Sequence, residues 1–88
     1  MSFEYDWRKN ASNKRKHGID FVEAQELWKD PALLQVPAST VDDEKRFMII
    51  GRIGEAYWSA IWTPRGDNIR LISVRRATDK EIQRYEGN

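Results

Sequence analysis

The apolar positions of this chain change from a helical spacing in the first third to a strand-like spacing in the rest. After the short extended stretch SFEY, Asp6 has a side chain well suited to cap a helix. We predict a basic helix that begins there and runs to about His17, where Gly18 ends it in the left-handed conformation.

A second helix signal follows almost at once. Asp20 and Glu23 have the spacing of a capping box, in which each side chain accepts a hydrogen bond from the other residue's backbone N–H. The apolar residues beside this signal fall on one stripe at helical spacing: Phe21, Ala24, Leu27 and Trp28. Asp30, which precedes Pro31, is expected to end the helix.

The rest of the chain has the pattern of a sheet followed by a helix. ALLQVP indicates a first strand or extended segment, STVDDEK a polar loop, and residues 46–52, 57–63 and 68–75 three further strands. Turn compositions between these three favour an antiparallel meander. Gly51 and Gly54 in GRIGE are assigned to a hairpin turn, because no helix follows them to form a phosphate-binding loop.

Thr78 and Glu81 form a second capping box, which opens a final helix with Ile82 and Tyr85 on one face. We therefore predict an α+β fold in which residues 1–88 form one small domain. The predicted elements are two N-terminal helices, an antiparallel sheet of three to four strands, and a C-terminal helix.

The last predicted strand ends in two arginines. Strict alternation places Ile69, Leu71, Ser73 and Arg75 on one face and Arg70, Ile72, Val74 and Arg76 on the other. The first face becomes polar at Ser73, which predicts an opening into which Arg75 projects to hold a phosphate. Arg76 is expected to point to solvent or to pair with Asp79 or Glu86. A purely structural role for both arginines is the alternative.

Two other groups of residues have a simpler structural explanation. Trp58 and Trp62 share one face of a predicted strand, and Trp28 ends the helical stripe, so packing of helices on a sheet accounts for them, with base stacking as the alternative. The acidic run at residues 42–44 lacks a supporting histidine and is followed by two cations, so we expect a solvated loop instead of a metal site.

Composition and charge narrow the function. The chain has 88 residues, no cysteine and one histidine, and a formal net charge of +1. Five cations and no acid lie at residues 8–16, and four arginines against one acid lie at residues 65–76. This segregation indicates a polyanionic partner, although charged faces that are simply solvated give the same pattern. Without an apolar signal core or a membrane-length apolar run, the protein is expected to be soluble and cytoplasmic.

Cleavage of RNA without a metal ion sets specific chemical requirements. A base must take the proton of a ribose 2′-hydroxyl, cations must stabilise the phosphorane, and an acid must protonate the departing 5′-oxygen. One histidine excludes a two-histidine relay, and the composition nearly excludes a zinc or iron site of His and Cys ligands. The remaining candidates are His17, Lys16, Tyr85 and the arginines. His17 has a structural alternative, because a cation in the last turn of a helix stabilises its dipole.

Ordered motifs along nearly the whole chain resemble those of one known family. They are FEYD, KHGIDFVEA, DP, RFMIIG, WTPRGDNIRLISVRRA, and a closing E with RYE. The KHG block, the RG-x-x-IR-x-IS-x-RRA block and the closing tyrosine are specific in combination. By these motifs the chain resembles the BrnT family of bacterial type II toxins.

The resemblance implies a compact fold like that of the RelE ribonuclease toxins, metal-independent RNA cleavage that arrests translation, and no cofactor. It also implies neutralisation by a cognate BrnA-like antitoxin. Such antitoxins usually carry a ribbon-helix-helix DNA-binding part, so operator DNA would be bound only through the antitoxin. The second possibility is a catalytically inactive binding module with the toxin fold, which only partners an antitoxin.

The motif positions carried over to this sequence are Lys16, His17, Arg52, Arg65, Arg75, Arg76 and Tyr85. With the neighbouring cations, we predict two sets of site residues. The catalytic set is His17, Lys16, Arg75, Arg76 and Tyr85. The RNA-binding set is Arg52, Arg65, Arg70, Lys14 and Arg15. No metal site and no membrane contact are expected.

Overall fold

The computed structural model of the protein describes residues 2–87; Met1 and Asn88 of the predicted domain lie outside them. The elements are β1 (Phe3–Glu4), α1 (Trp7–His17), a 3-10 helix (Glu23–Lys29), β2 (Leu34–Pro37), β3 (Phe47–Ile53), β4 (Ala56–Arg65), β5 (Asn68–Arg76) and α2 (Asp79–Glu86). They form an α+β fold around a five-stranded sheet of order β1-β5-β4-β3-β2.

The predicted fold class is wrong in two respects. The N-terminal part has one α-helix where two were expected, because residues 23–29 form a 3-10 helix. The buried residues Ala24 and Leu27 are three positions apart and therefore lie on one row of a helix with three residues per turn. The sheet has five strands and is mixed, because β1 pairs in parallel with β5, placing Phe3 opposite Ile69. A two-residue strand is too short to give an alternation pattern.

Two of the three predicted helices, the first and the last, are confirmed as α-helices. Asp6 accepts a hydrogen bond from the Arg8 backbone N–H at 3.0 Å, and Gly18 closes α1 with a φ of 80°. Thr78 and Glu81 form the reciprocal capping box of α2. The antiparallel meander of β3, β4 and β5 is also confirmed.

The main core lies between the sheet and the segment from α1 to the 3-10 helix. Its buried residues are Ile19, Phe21, Ala24, Leu27, Ile49, Trp58, Ala60, Leu71 and Val74. Trp28 and Trp62 pack against this core, which confirms the structural explanation of these tryptophans. Trp7 differs from them, since it is 76% exposed at the start of α1.

A β-bulge in β5 overturns the predicted alternation of this strand. Trp62 lies opposite Leu71 and Ile61 lies opposite Ser73, so Ile72 is an extra residue with no partner in β4. Beyond the bulge, Val74 and Arg76 therefore share the core face with Leu71. Ser73 and Arg75 lie on the opposite face, which α2 covers.

Gly51 and Gly54 have different roles, so the assignment of both to a turn is right only for Gly54. Gly54 lies in the β3–β4 turn with a φ of 60°. Gly51 is buried within β3, where a Cβ atom would lie 2.9 Å from Leu33 Cδ1 and 3.0 Å from Leu27 Cδ2. The missing side chain lets the segment around Asp30 approach β3 closely.

None of the helices between residues 2 and 87 has the length and apolar character needed to cross a bilayer.

Candidate active site

Arg75, at the end of β5, is held by a carboxylate of α2. Its Nη1 and Nη2 atoms donate to Glu81 Oε1 and Oε2 at 2.8 and 2.9 Å. Glu81 also accepts hydrogen bonds from the Ser59 hydroxyl and from the Thr78 backbone N–H. The hydrogen bonds from Arg75 dominate over burial and lower the pKa of Glu81 to about 2. The opening predicted beside Arg75 is thus occupied by α2.

Tyr85, one turn further along α2, is held by a second carboxylate. Its hydroxyl donates to Asp30 Oδ2 at 2.7 Å. Burial and this hydrogen bond raise the pKa of Tyr85 to about 12. Burial raises the pKa of Asp30, but hydrogen bonds from Ala32, Tyr85 and Arg52 outweigh it and leave this pKa lowered. The pair is therefore a neutral phenol and an ionised carboxylate at neutral pH.

Arg52 and Tyr57 lie beside the Asp30–Tyr85 pair, and Tyr57 shares a face of β4 with Ser59, which donates to Glu81. Arg52 donates from Nε to the Gly54 carbonyl at 2.7 Å, and its guanidinium lies 5.5 Å from the centre of the Tyr57 ring. The Tyr57 ring meets the Tyr85 ring edge-on at 5.6 Å. We call Asp30, Arg52, Tyr57, Arg75, Glu81 and Tyr85 the Tyr85 cluster. A shallow cleft of about 510 Å³ beside it is lined by Asp30, Arg52 and Tyr85 among others.

Arg76 lies on the other face of the sheet from the Tyr85 cluster. Its guanidinium is 5.1 Å from the centre of the Trp58 ring, and the residue is exposed. Within residues 2–87 it forms no ion pair, so the expected pairing with Asp79 or Glu86 is absent there and the expected exposure to solvent is observed. The two arginines therefore lie on opposite faces, Arg75 with Ser73 and Arg76 with Val74 as predicted, whereas Leu71 shares the face of Arg76 and not that of Arg75.

The C-terminal end of α1 carries four of the predicted site residues. Arg15, Lys16 and His17 are exposed, and their side chains make no hydrogen bond or ion pair within residues 2–87. Lys14 donates to Glu23 at 2.7 Å. No hydrogen bond within residues 2–87 joins these residues to the Tyr85 cluster.

Arg65 and Arg70 lie near the opposite end of β5. Arg65 is 3.8 Å from Glu44, and Arg70 is 3.5 Å from Glu4. Both line a cleft of about 370 Å³ that also includes Lys9 and Arg46. Because Arg70 and Arg75 are separated by most of a strand, this cleft and the Tyr85 cluster are distinct surfaces.

Three residues outside the predicted sets shape the site. Asp30 and Glu81 bind Tyr85 and Arg75, and Asn13 donates from its side chain to the Ile19 and Val74 carbonyls at 2.8 and 3.0 Å. Glu81 has a local signal in its capping box, whereas the sequence pattern at Asp30 predicts a helix end.

In the described part of the chain, no group of three or more His, Cys, Asp and Glu side chains is placed to hold a metal ion.

The cluster contains a positioned cation that can bind an anionic ligand, beside a phenol that is held by an ionised carboxylate.

Comparison with known protein families matches residues 5–81 to the ribonuclease toxin BrnT of type II toxin-antitoxin systems. A search among curated proteins finds no match. Since the family match spans far more than half of the 88 residues, the chain belongs to the BrnT family of type II toxin-antitoxin ribonuclease toxins.

Proposed function

We propose that this protein is a metal-independent endoribonuclease that arrests translation by cleaving RNA at the Tyr85 cluster. In the proposed reaction the ribose O2′ attacks the adjacent phosphorus, the O2′–P bond forms and the P–O5′ bond breaks. The products are a 2′,3′-cyclic phosphate and a 5′-hydroxyl. The proton of the 2′-hydroxyl passes to a base, and an acid supplies a proton to O5′.

The observation that carries the proposal is the orientation of Arg75. Three of its N–H groups are used by Glu81 and the Arg76 carbonyl. The Nε–H and the second Nη2–H remain, and they lie on one edge of the guanidinium, which suits two oxygens of one phosphate. The two hydrogen bonds to Glu81 hold the Arg75 guanidinium in one orientation. A cation fixed in advance stabilises a phosphorane without the cost of ordering it during the reaction.

The other predicted residues take roles that follow from their positions. Tyr85 lies one turn beyond Glu81 on α2, and Arg52 lies close to Tyr85, and we propose that both contact the reacting ribose and its phosphate. Lys16 and His17 lie at the end of α1, and we propose them as acid or base groups that approach the RNA from that side. Arg76, Arg65, Arg70, Lys14 and Arg15 are proposed to bind the RNA backbone along its path.

A second candidate function is a binding module that has lost catalysis. It is favoured by the fact that the Tyr85 hydroxyl hydrogen and one edge of Arg75 are already engaged by Asp30 and Glu81. For either function we propose a BrnA-like antitoxin with a ribbon-helix-helix part as partner, through which alone operator DNA is bound. The segregated basic surfaces at residues 8–16 and 65–76 support such an acidic partner.

Expression of the gene without its antitoxin tests the two functions. The ribonuclease predicts growth arrest, and purified protein that cuts RNA in the presence of a chelator to leave cyclic phosphate ends. Arg75→Ala should abolish cutting, and the matched control Arg84→Ala, an exposed arginine on α2, should not. Wild-type protein that binds antitoxin but neither arrests growth nor cuts RNA would leave the binding module as the function.

A further inference from the structure

Asp30 lies where three elements meet, and its carboxylate has a hydrogen-bond donor from each. Oδ1 accepts from the Ala32 backbone N–H at 2.8 Å, in the turn before β2. Oδ2 accepts from the Arg52 backbone N–H of β3 at 2.9 Å and from the Tyr85 hydroxyl of α2 at 2.7 Å. We infer that Asp30 is a positioning residue of this ribonuclease, which fixes the direction of the Tyr85 hydroxyl beside Arg52; the inference rests on the proposed function.

The backbone of β3 is built to let Asp30 reach these partners. Gly51 precedes Arg52, and a Cβ atom added to it would approach Leu33 Cδ1 to 2.9 Å and Asp30 Oδ2 to 3.4 Å. Any side chain at this position would push the segment that carries Asp30 away from the sheet. The contact between Asp30 and β3 therefore depends on Gly51, which lies within a strand and not in a turn.

The direction of the Tyr85 hydroxyl determines what it can do for RNA. Its hydrogen is directed to Asp30, so its oxygen is left to accept a hydrogen bond from outside. A ribose 2′-hydroxyl is a donor of that kind. In this arrangement Tyr85 orients the attacking hydroxyl as an acceptor and does not donate to the departing oxygen.

The charges that surround Tyr85 agree with this assignment. Asp30 faces it from the turn before β2, Arg52 from β3 and Tyr57 from β4, and Asp30 has the largest charge effect on it. Glu26 and Lys29 line the same cleft from the 3-10 helix, and Glu86 binds the Tyr57 hydroxyl. Burial first and Asp30 second therefore raise the pKa of Tyr85 to about 12.

The Asp30→Asn variant tests the inference by two measurements. The first is titration of the Tyr85 phenol in the folded protein by NMR of labelled tyrosine, assigned with Tyr85→Phe. Replacing the carboxylate by an amide should lower the pKa of Tyr85 from about 12 towards its ordinary value of 10. The matched control Asp67→Asn, in the exposed β4–β5 turn, should leave it unchanged. An unchanged pKa in Asp30→Asn would overturn the contact, whether or not the protein cuts RNA.

The second measurement is RNA cleavage by the two single variants and the double variant. We expect Asp30→Asn to reduce kcat about tenfold or more with KM nearly unchanged, because misplacing a reacting group is costly. Tyr85→Phe should remove most of the same contribution, so that the double variant is no slower than Tyr85→Phe alone. Losses that multiply would overturn the positioning role, since Asp30 would then act independently of Tyr85.

Two further results separate this inference from the proposed function and from misfolding. Wild-type protein that cuts no RNA would refute the ribonuclease, while the phenol titration would still decide whether Asp30 fixes Tyr85. Should Asp30→Asn fail to fold, Tyr85→Phe provides the test, because it removes one donor and leaves the other two. The pKa of the Asp30 carboxyl should rise in that variant, and an unchanged value would overturn the inference.

Discussion

Arg75 of β5 and Glu81 of α2 lie end to end, joined by two parallel hydrogen bonds of 2.8 and 2.9 Å. The pair ties the last helix to the last strand and leaves the second edge of the guanidinium free. The structural role and the proposed phosphate-binding role would therefore use different atoms of the same side chain, so the two are compatible.

Substitution of the two neighbouring arginines should separate these roles. Arg75→Ala is expected to reduce RNA cleavage by the folded protein on the order of 10²- to 10³-fold. It should also cost about 1–2 kcal/mol of unfolding free energy, because the Glu81 carboxylate loses its cation. Arg75→Lys should restore cleavage only in part, since an ammonium lacks the planar fork. Arg76→Ala, on the other face, should give a smaller loss.

The measurement is cleavage of a defined RNA with circular dichroism as a check on folding. A folded Arg75→Ala protein that cuts at the wild-type rate would move the site towards Arg52, Arg65 and α1.

Glu81 predicts a specific dependence of stability on pH. Its pKa is about 2 in the folded protein and 4.5 without these contacts, so its contribution is fully present above pH 4.5 and is lost as the pH falls towards 2. Because Arg75 is 43% exposed, we expect a contribution of about 1–2 kcal/mol after screening by solvent. Urea unfolding of Glu81→Gln should differ from wild type at pH 7 and converge with it near pH 2. The exposed Glu55→Gln variant should show no such convergence.

His17 is exposed at the end of α1 and is a test of the catalytic set. If it acts as acid or base, His17→Gln should cut the cleavage rate by roughly 10²-fold with little change in melting temperature. If it only stabilises the helix end, stability should fall by about 1 kcal/mol or less while the folded fraction still cleaves. Parallel cleavage and melting experiments distinguish the two, and the second pattern would remove His17 from the site.

Asn13 is the polar side chain that joins α1 to the sheet. It is 8% exposed, and its amide donates to two carbonyls, at Ile19 and Val74. Asn13→Ala leaves both carbonyls without this donor and should cost about 2 kcal/mol of unfolding free energy. Arg15→Ala, exposed on the same helix, should change it by less than about 0.5 kcal/mol. Equal effects in denaturant unfolding would show that the two hydrogen bonds contribute little.

The antitoxin should recognise the basic surfaces at residues 8–16 and 65–76. Charge reversal at Arg15→Glu is expected to slow association about tenfold at low salt, and added salt should reduce this difference. Lys80→Glu, an exposed reversal at the start of α2, serves as control. Association kinetics with the purified cognate antitoxin provide the measurement, and a complex whose contacts avoid both basic surfaces would contradict the prediction.

Local signals predicted the parts of the fold that local interactions determine. Asp6 and Gly18 bound α1, and Thr78 with Glu81 opens α2, because caps act within a few residues. The Asp20–Glu23 box also forms, with hydrogen bonds of 2.7 and 3.0 Å, yet no α-helix follows it. Leu27 of this segment packs against Gly51, more than twenty residues away, and no local pattern contains that contact.

The sequence predicts which residues belong to the candidate site but not how they are arranged in space. The motifs predict Tyr85 and Arg75 as site residues, and each is held by a carboxylate whose contact the sequence does not show. Asp30 and Tyr85 are 55 residues apart. Arg75 and Glu81 are close in sequence, but their meeting depends on the path of the chain between β5 and α2. The faces of β5 were mispredicted because the bulge at Ile72 interrupts a strict alternation.

That bulge has a consequence for how this toxin can evolve. Loss of the single codon for Ile72 would restore regular alternation in β5. Leu71 and Val74 would stay on the core face, and the strand would be one residue shorter. Because Ile72 has no partner in β4, its loss would leave Arg75 opposite Ser59 and Arg76 opposite Trp58, each on its present face. Lineages that lose one codon at this position would therefore keep both arginines in place, and an alignment should open its gap at position 72.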